Sequence, residues 1–200
     1  MSIQLDENHQ FCSFIVFGKP GVGKSTLLNY ISGSTQFLSS SSGASCTKEV
    51  KSHEFQVNNT TVTLFDTQGL YDTNGIDEDK KNIKNLVDFL RKYEHGLNGI
   101  AIVISSTDYR LNIIIKKSIK LLYQIFGNNI WSHLCFIVTH CPFYQEDLDE
   151  LKESMTSDKD SLKALIIELI KGICHINEEP SIPFYFVDSL HPNFPPFREA

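Results

Sequence analysis

The sequence predicts an α/β domain with a mostly parallel central sheet. Short apolar runs of strand length alternate with segments whose apolar residues recur at helical spacing. Each chemistry-bearing motif falls just after one of those runs, where the carboxyl ends of parallel strands place ligands. The scale agrees: 200 residues, 41% hydrophobic and 21% charged, suit one globular domain with its own core.

The elements follow in chain order. Residues 1–10 are polar and read as a flexible arm. Phe14-Ile15-Val16-Phe17 is a short apolar run ending at a glycine, the mark of a buried strand. Residues 18–23 read as a loop and 24–31 as a helix. Residues 33–45 are Ser-rich and hold too little apolar surface to order themselves, so a mobile stretch is expected. Val57 and Thr61-Val62-Thr63-Leu64-Phe65 flank Asn58-Asn59, a hairpin signal. Residues 69–79 form a second polar loop, and Ile83, Leu86, Val87 and Leu90 space a helix over 80–95. Residues 100–104 are another buried strand. Ile115, Ile119, Leu122 and Phe126 mark a helix that stops at Gly127. Residues 135–138 read as a strand, 162–173 as a helix and 184–187 as the last strand. Pro192, Pro195 and Pro196 make residues 191–200 an extended tail. One domain, residues 11–190, lies between arm and tail.

Composition excludes several classes. A formal charge of −6 argues against nucleic acid as the main partner. No apolar run approaches the roughly 18 residues of a membrane-spanning helix. The acidic start lacks the layout of a signal peptide. Five scattered cysteines with no CxxC pair suit a reducing, cytoplasmic setting rather than a disulfide framework. His133, His140 and Cys141 have a spacing that fits no closed zinc site.

The most specific signal is Gly18-Lys19-Pro20-Gly21-Val22-Gly23-Lys24-Ser25, a full G-x-x-x-x-G-K-[ST] phosphate loop. Such a loop wraps phosphates with backbone N–H groups, and glycines permit the close approach. The following helix points its positive end at the phosphates. The nucleotide-binding candidates here are Gly18, Pro20, Gly21, Val22, Gly23, Lys24, Ser25 and Thr26. Lys24 neutralises the β- and γ-phosphates, and Ser25 offers a hydroxyl to Mg²⁺. Asp66-Thr67-Gln68-Gly69 follows the strand ending at Phe65. A carboxylate there holds Mg²⁺, usually through water, and the Gly69 N–H can meet a γ-phosphate. Thr47, at the end of the Ser-rich stretch, can add a second Mg²⁺ hydroxyl when triphosphate is bound, with Ser45 as the nearby alternative.

GKPGVGKSTLLN, SCTKEV, DTQGL and VTH together resemble the avrRpt2-induced-gene (AIG-type) GTPases, relatives of the chloroplast-import receptor GTPases and septins. The resemblance spans residues 14 to about 189. It implies a P-loop NTPase of Ras-like G-domain fold, with a six-stranded, mostly parallel sheet flanked by helices. It also implies GTP and GDP binding with Mg²⁺, and a nucleotide-dependent homodimer through the nucleotide face. Relatives carry C-terminal membrane anchors, so peripheral membrane association is implied through regions outside this sequence. The family's R-F-T-x-E box is matched by Arg110-Leu111-Asn112-Ile113-Ile114. The arginine is kept, and in some relatives it reaches the partner's nucleotide. The base-recognition motif reads Thr139-His140-Cys141-Pro142, where a Ras-type motif places an aspartate. The import-receptor branch also has a histidine there, so His140 is expected to stack on the purine. A carboxylate from elsewhere must then read guanine: Asp188, or alternatively Glu146 or Asp147.

Leu70 occupies the place where Ras has its water-positioning glutamine, so hydrolysis is expected to be slow. Gln68 lies inside the motif instead. The only arginines are Arg91, Arg110 and Arg198, and Arg110 is the finger candidate in trans. The catalytic candidates are therefore Lys24, Thr47 and Arg110. The alternative is a GTP-gated assembly scaffold with negligible hydrolysis.

Overall fold

The computed structural model describes residues 10–37, 50–67, 88, 96–106, 113–141 and 148–187. Its sheet has six strands in the order β2-β3-β1-β4-β5-β6: β1 (Gln10–Phe17), β2 (Lys51–Val57), β3 (Thr60–Asp66), β4 (Gly99–Ser105), β5 (Leu134–Thr139) and β6 (Phe184–Phe186). The described helices are α1 (Lys24–Ser32), α2 (Ile113–Phe126) and α3 (Leu148–Cys174), with a 3₁₀ turn over Gly127–Ser132. The expected α/β class with a mostly parallel sheet is present. None of the described helices is long and apolar enough to cross a membrane. Contacts divide the chain into two compact units, Met1–Ala101 and Ile102–Ala200.

In the first unit, β1 runs parallel to β3 from Gln10↔Thr60 to Val16↔Asp66. Ile15, Val16 and Phe17 on β1 and Leu64 and Phe65 on β3 are buried, which explains the apolar run at 15–17, whereas Phe14, expected in the same buried run, is exposed. β1 nevertheless starts four residues before that run. Gln10 and Phe11 are exposed, so no burial pattern announces them, and their place comes from the ladder with β3. Hairpin partner β2 pairs antiparallel with β3, Lys51↔Asp66 to Val57↔Thr60. Asn58 turns the chain at φ 54, a left-handed conformation asparagine tolerates. β2 is an edge strand with no fully buried residue, so only its end at Val57 was signalled by the sequence.

Ser13 ties β1 to the entry of β4. Its N–H donates to Asn98 Oδ1 at 2.8 Å, its hydroxyl to Gly96 O at 2.6 Å, and Asn98 N–H returns to Ser13 O at 3.0 Å. Gly99 follows, and a Cβ there would collide with the Phe14 ring.

α1 ends at Gly33, left-handed at φ 62, whose N–H reaches the Tyr30 carbonyl while Ser34 N–H reaches Asn29 O. The Asn29 side chain then clamps Phe37 from both sides: Nδ2 donates to Phe37 O at 2.8 Å, and Phe37 N–H donates to Oδ1 at 2.9 Å. Phe37 is buried, with its ring edge-on to His53. Residues 33–37 are therefore anchored, contrary to the mobile stretch expected from residue 33 onward. A single buried phenylalanine supplies what the serine-rich composition concealed. The rest of that stretch, residues 38–45, lies outside the described residues.

In the second unit, α2 buries Ile115, Ile119 and Leu122 of the stripe its spacing predicted, together with Ser118, while Phe126 at the helix end is only half-buried. Gly127 ends it as expected, at φ 61, and opens the 3₁₀ turn. β5 and β6 pair parallel, Phe136↔Phe184 to Val138↔Phe186, with the rings of Phe136 and Phe184 stacked at 5.0 Å. α3 buries Leu162, Ile166, Ile167 and Ile170. It begins at Leu148, not at the predicted residue 162. The added turns carry mostly Asp, Glu, Lys and Ser, so apolar spacing missed them, though no Gly or Pro interrupts them. Asp88 is helical. The remainder of the expected 80–95 helix, the 69–79 loop and the tail lie outside the described residues.

Candidate functional site

The phosphate loop leaves β1 at Phe17 and enters α1 at Lys24. Two of its glycines take left-handed backbones that side chains rarely adopt, Gly21 at φ 81 and Gly23 at φ 86. Gly23 is the residue before α1, and no side chain caps that helix end. The first-turn N–H groups are thus oriented for an anion, with the helix dipole behind them. Lys24 is buried. Its ammonium donates to Gly18 O and Lys19 O, both at 3.0 Å. These bonds hold the cation beside the loop.

Ser25 Oγ donates to Asp66 Oδ2 at 2.6 Å. Asp66 ends β3, and its carboxylate is wholly buried. A buried carboxylate beside a hydroxyl is a hard-oxygen donor set that fits Mg²⁺. Thr67 directs the chain away from β3, its hydroxyl donating to Val16 O at 2.6 Å. The sequence had singled out Gly18, Gly21, Gly23, Lys24, Ser25 and Asp66, and the fold brings Lys24 to the loop carbonyls and Ser25 to Asp66. Pro20, Val22 and Thr26 lie in the same loop and first helical turn. Thr47, Ser45, Gln68, Gly69 and Leu70 lie outside the described residues.

The second unit carries the base-recognition motif at the end of β5. His140 has φ 56, a left-handed backbone on a non-glycine residue, which costs about 1–2 kcal/mol. Its surroundings sustain that cost. Ser106 Oγ donates to His140 O at 2.5 Å, and Ser106 N–H donates to Thr139 O at 2.8 Å. Ser105 Oγ lies 3.0 Å from the ring Nδ1 and Thr139 Oγ1 3.3 Å from it. Cys141 is buried, with its N–H on Val187 O at 3.3 Å. The ring of a half-buried histidine is thereby oriented from one side by hydroxyls. Arg110, Glu146, Asp147 and Asp188 lie outside the described residues.

Sequence reasoning missed Ser105 and Ser106 as site residues. Two small polar residues directly after the apolar 100–104 strand were the available signal, since that position is a strand's carboxyl end. Burial pushes the thiol of Cys135 up to about 11, which suits a structural cysteine on β5 rather than a reactive one.

The AIG1 family model matches residues 12–181. Immune-associated nucleotide-binding protein 13 of Arabidopsis thaliana is 27% identical over 206 residues, covering 90% of this chain and 60% of that protein. The chain thus spans about 60% of the length of this curated relative. Among solved structures, Toc33 from Arabidopsis thaliana in complex with Mg²⁺ and GMPPNP superposes with a TM-score of 0.72 at 19% identity, covering 92% of this chain and 73% of that one. An Era variant from Aquifex aeolicus bound to GDP and AlF₄⁻ gives 0.54 at 17% identity, covering 90% and 52%. Both likenesses are of fold. The family match takes in the phosphate loop, Asp66 and the strained His140, and on it the chain belongs to the AIG1 family.

Proposed function

We propose that the chain is a guanine-nucleotide switch that binds GTP and GDP with Mg²⁺, hydrolyses GTP slowly and dimerises through its nucleotide face. The observation that supports this best is the phosphate loop, with Gly21 and Gly23 left-handed and Lys24 held at its carbonyls. We assign the phosphates to the backbone N–H groups of residues 21–25 and to the Lys24 charge. Ser25 and Asp66 would hold Mg²⁺, with Thr47 as a further hydroxyl in the triphosphate state. Bound there, the ion supplies charge neutralisation at the phosphate oxygens. The Gly69 N–H is assigned to the γ-phosphate. His140 is assigned to the purine, and Asp188 to its N–H edge, with Glu146 and Asp147 as the alternative carboxylates.

The relatives support this reading. Toc33 has been crystallised with Mg²⁺ and either GMPPNP or GDP. Dimerisation is important for the GTPase activity of the chloroplast translocon components Toc33 and Toc159. A Toc33 variant deficient in dimerisation carries an arginine-to-alanine substitution, in keeping with Arg110 acting across a dimer. We place the protein in the cytoplasm, with membrane association through regions outside this sequence.

Leu70 favours a second reading, a GTP-gated scaffold with negligible turnover, because an aliphatic side chain cannot orient the attacking water. GTP turnover per site against protein concentration separates the two. A rate that climbs with concentration and falls in Arg110→Ala supports the dimer-activated GTPase. A flat, negligible rate with tight GDP binding supports the scaffold, and ATP binding equal to GTP overturns both.

A further inference from the structure

We propose that Thr139 sets the tautomer of His140, leaving Nε2 as a hydrogen-bond acceptor that favours a purine carrying its proton at N1. The inference rests on the assignment of His140 to the base and sets the ring at the base's edge, in place of the stacking expected from the resemblance. It starts from one proton. A threonine hydroxyl has a single hydrogen to donate. Thr139 Oγ1 gives it to the Ile104 carbonyl at 3.1 Å, in a buried position. The same oxygen lies 3.3 Å from His140 Nδ1. With its hydrogen committed, it acts there as an acceptor, so Nδ1 carries the ring proton. Ser105 Oγ, 3.0 Å from Nδ1, is a hydroxyl that can take either role, and it accepts once Nδ1 carries the proton.

A neutral imidazole protonated on Nδ1 has its lone pair on Nε2. Both ring contacts of His140 fall on Nδ1, and no described residue hydrogen-bonds Nε2. The ring is half-buried, and its left-handed backbone is pinned by the Ser106 hydroxyl on the His140 carbonyl. An accessible acceptor is thus preset by partners on its far side. Guanine offers N1–H and an exocyclic amine to such an acceptor. Adenine also has a donor on that edge, its 6-amine, but it places a lone pair at N1, so an acceptor facing N1 is repelled by adenine and satisfied by guanine. Thr139 is therefore a positioning residue for base selection, supplementing the carboxylate rather than replacing it.

The test reads the tautomer directly. The full chain, labelled with ¹⁵N-histidine and free of nucleotide, is examined by long-range ¹H–¹⁵N correlation at pH 8, with His140→Gln to assign the signal. The expected pattern is Nδ1–H in the wild type and in Thr139→Ser, and a mixed or Nε2–H pattern in Thr139→Val. An Nε2–H wild type, or an unchanged tautomer in Thr139→Val, overturns the proposal. If the valine variant does not fold, the wild-type spectrum alone decides. Binding of GDP and ADP then gives the second readout. Thr139→Val should lose about tenfold of the preference for GDP, the worth of one hydrogen bond, and Thr139→Ser should keep it. An undiminished preference in a folded Thr139→Val also overturns the proposal. Undiminished GDP affinity and preference in His140→Ala overturns the base assignment itself and leaves the tautomer result standing.

Discussion

Asn29 should be among the most sensitive polar positions in the first unit. Its amide makes two hydrogen bonds to the backbone of Phe37, at 2.8 and 2.9 Å, and Phe37 is only 2% exposed. A neutral hydrogen bond contributes about 1 kcal/mol net, and a buried peptide group left unsatisfied costs about 1–3 kcal/mol. Losing both bonds in Asn29→Ala therefore predicts about 2–4 kcal/mol of destabilisation, a large part of the roughly 5–15 kcal/mol that holds a domain folded. Asn29→Asp keeps an acceptor for the Phe37 N–H but sets a carboxylate oxygen against the Phe37 carbonyl, so it should cost at least as much. Urea unfolding with an unchanged m-value gives the difference, and hydrogen exchange at the Phe37 amide should speed up in the alanine variant. A loss below about 0.5 kcal/mol in Asn29→Ala, or a neutral Asn29→Asp, would refute the clamp.

Three further outcomes are expected. Gly99→Ala drives a methyl into the Phe14 ring and should cost about 1–3 kcal/mol in urea unfolding, with most of the loss recovered in a Phe14→Ala background. Asp66→Asn should abolish the Mg²⁺ dependence of nucleotide affinity, measured as the GDP dissociation constant with and without EDTA, where the wild type should change about tenfold or more. Cys135, with its thiol at about 11 against an ordinary 9.0, should alkylate at pH 8 about a hundredfold more slowly than an ordinary thiol, read by mass spectrometry of labelled peptides. The same shift has a stability consequence of definite sign. The unfolded thiol ionises first, so its contribution to stability is intact below pH 9 and is lost as pH rises to about 11.

The phosphate-binding end was legible because its signal is local. A glycine needed for a left-handed turn, a lysine and a serine sit within eight residues, directly after an apolar strand. The stripe of α2 was legible for the same reason, since Ile115, Ile119 and Leu122 repeat at one helical period. What escaped was set by contacts across the chain or by polar helix. Ser105 meets the His140 ring from another strand, and nothing near either residue announces the pair. Phe37 looks like an isolated apolar residue in a polar stretch until Asn29 is seen to hold it. The first turns of α3 lack an apolar face broad enough for spacing to detect, though their composition favours helix.

Ser13 and Val16 lie three residues apart on β1, and each receives one end of the segment 68–95. Thr67 leaves β3 bonded to Val16, and Gly96 and Asn98 return bonded to Ser13. The two anchor points are separated by about 10 Å of a single extended strand. A segment whose ends are fixed so close together is closed by the framework, whatever its length. The attachment of both ends is thus borne by one strand, so a change at Ser13 would loosen the return of the chain at Gly96 and Asn98 without touching the segment's own residues.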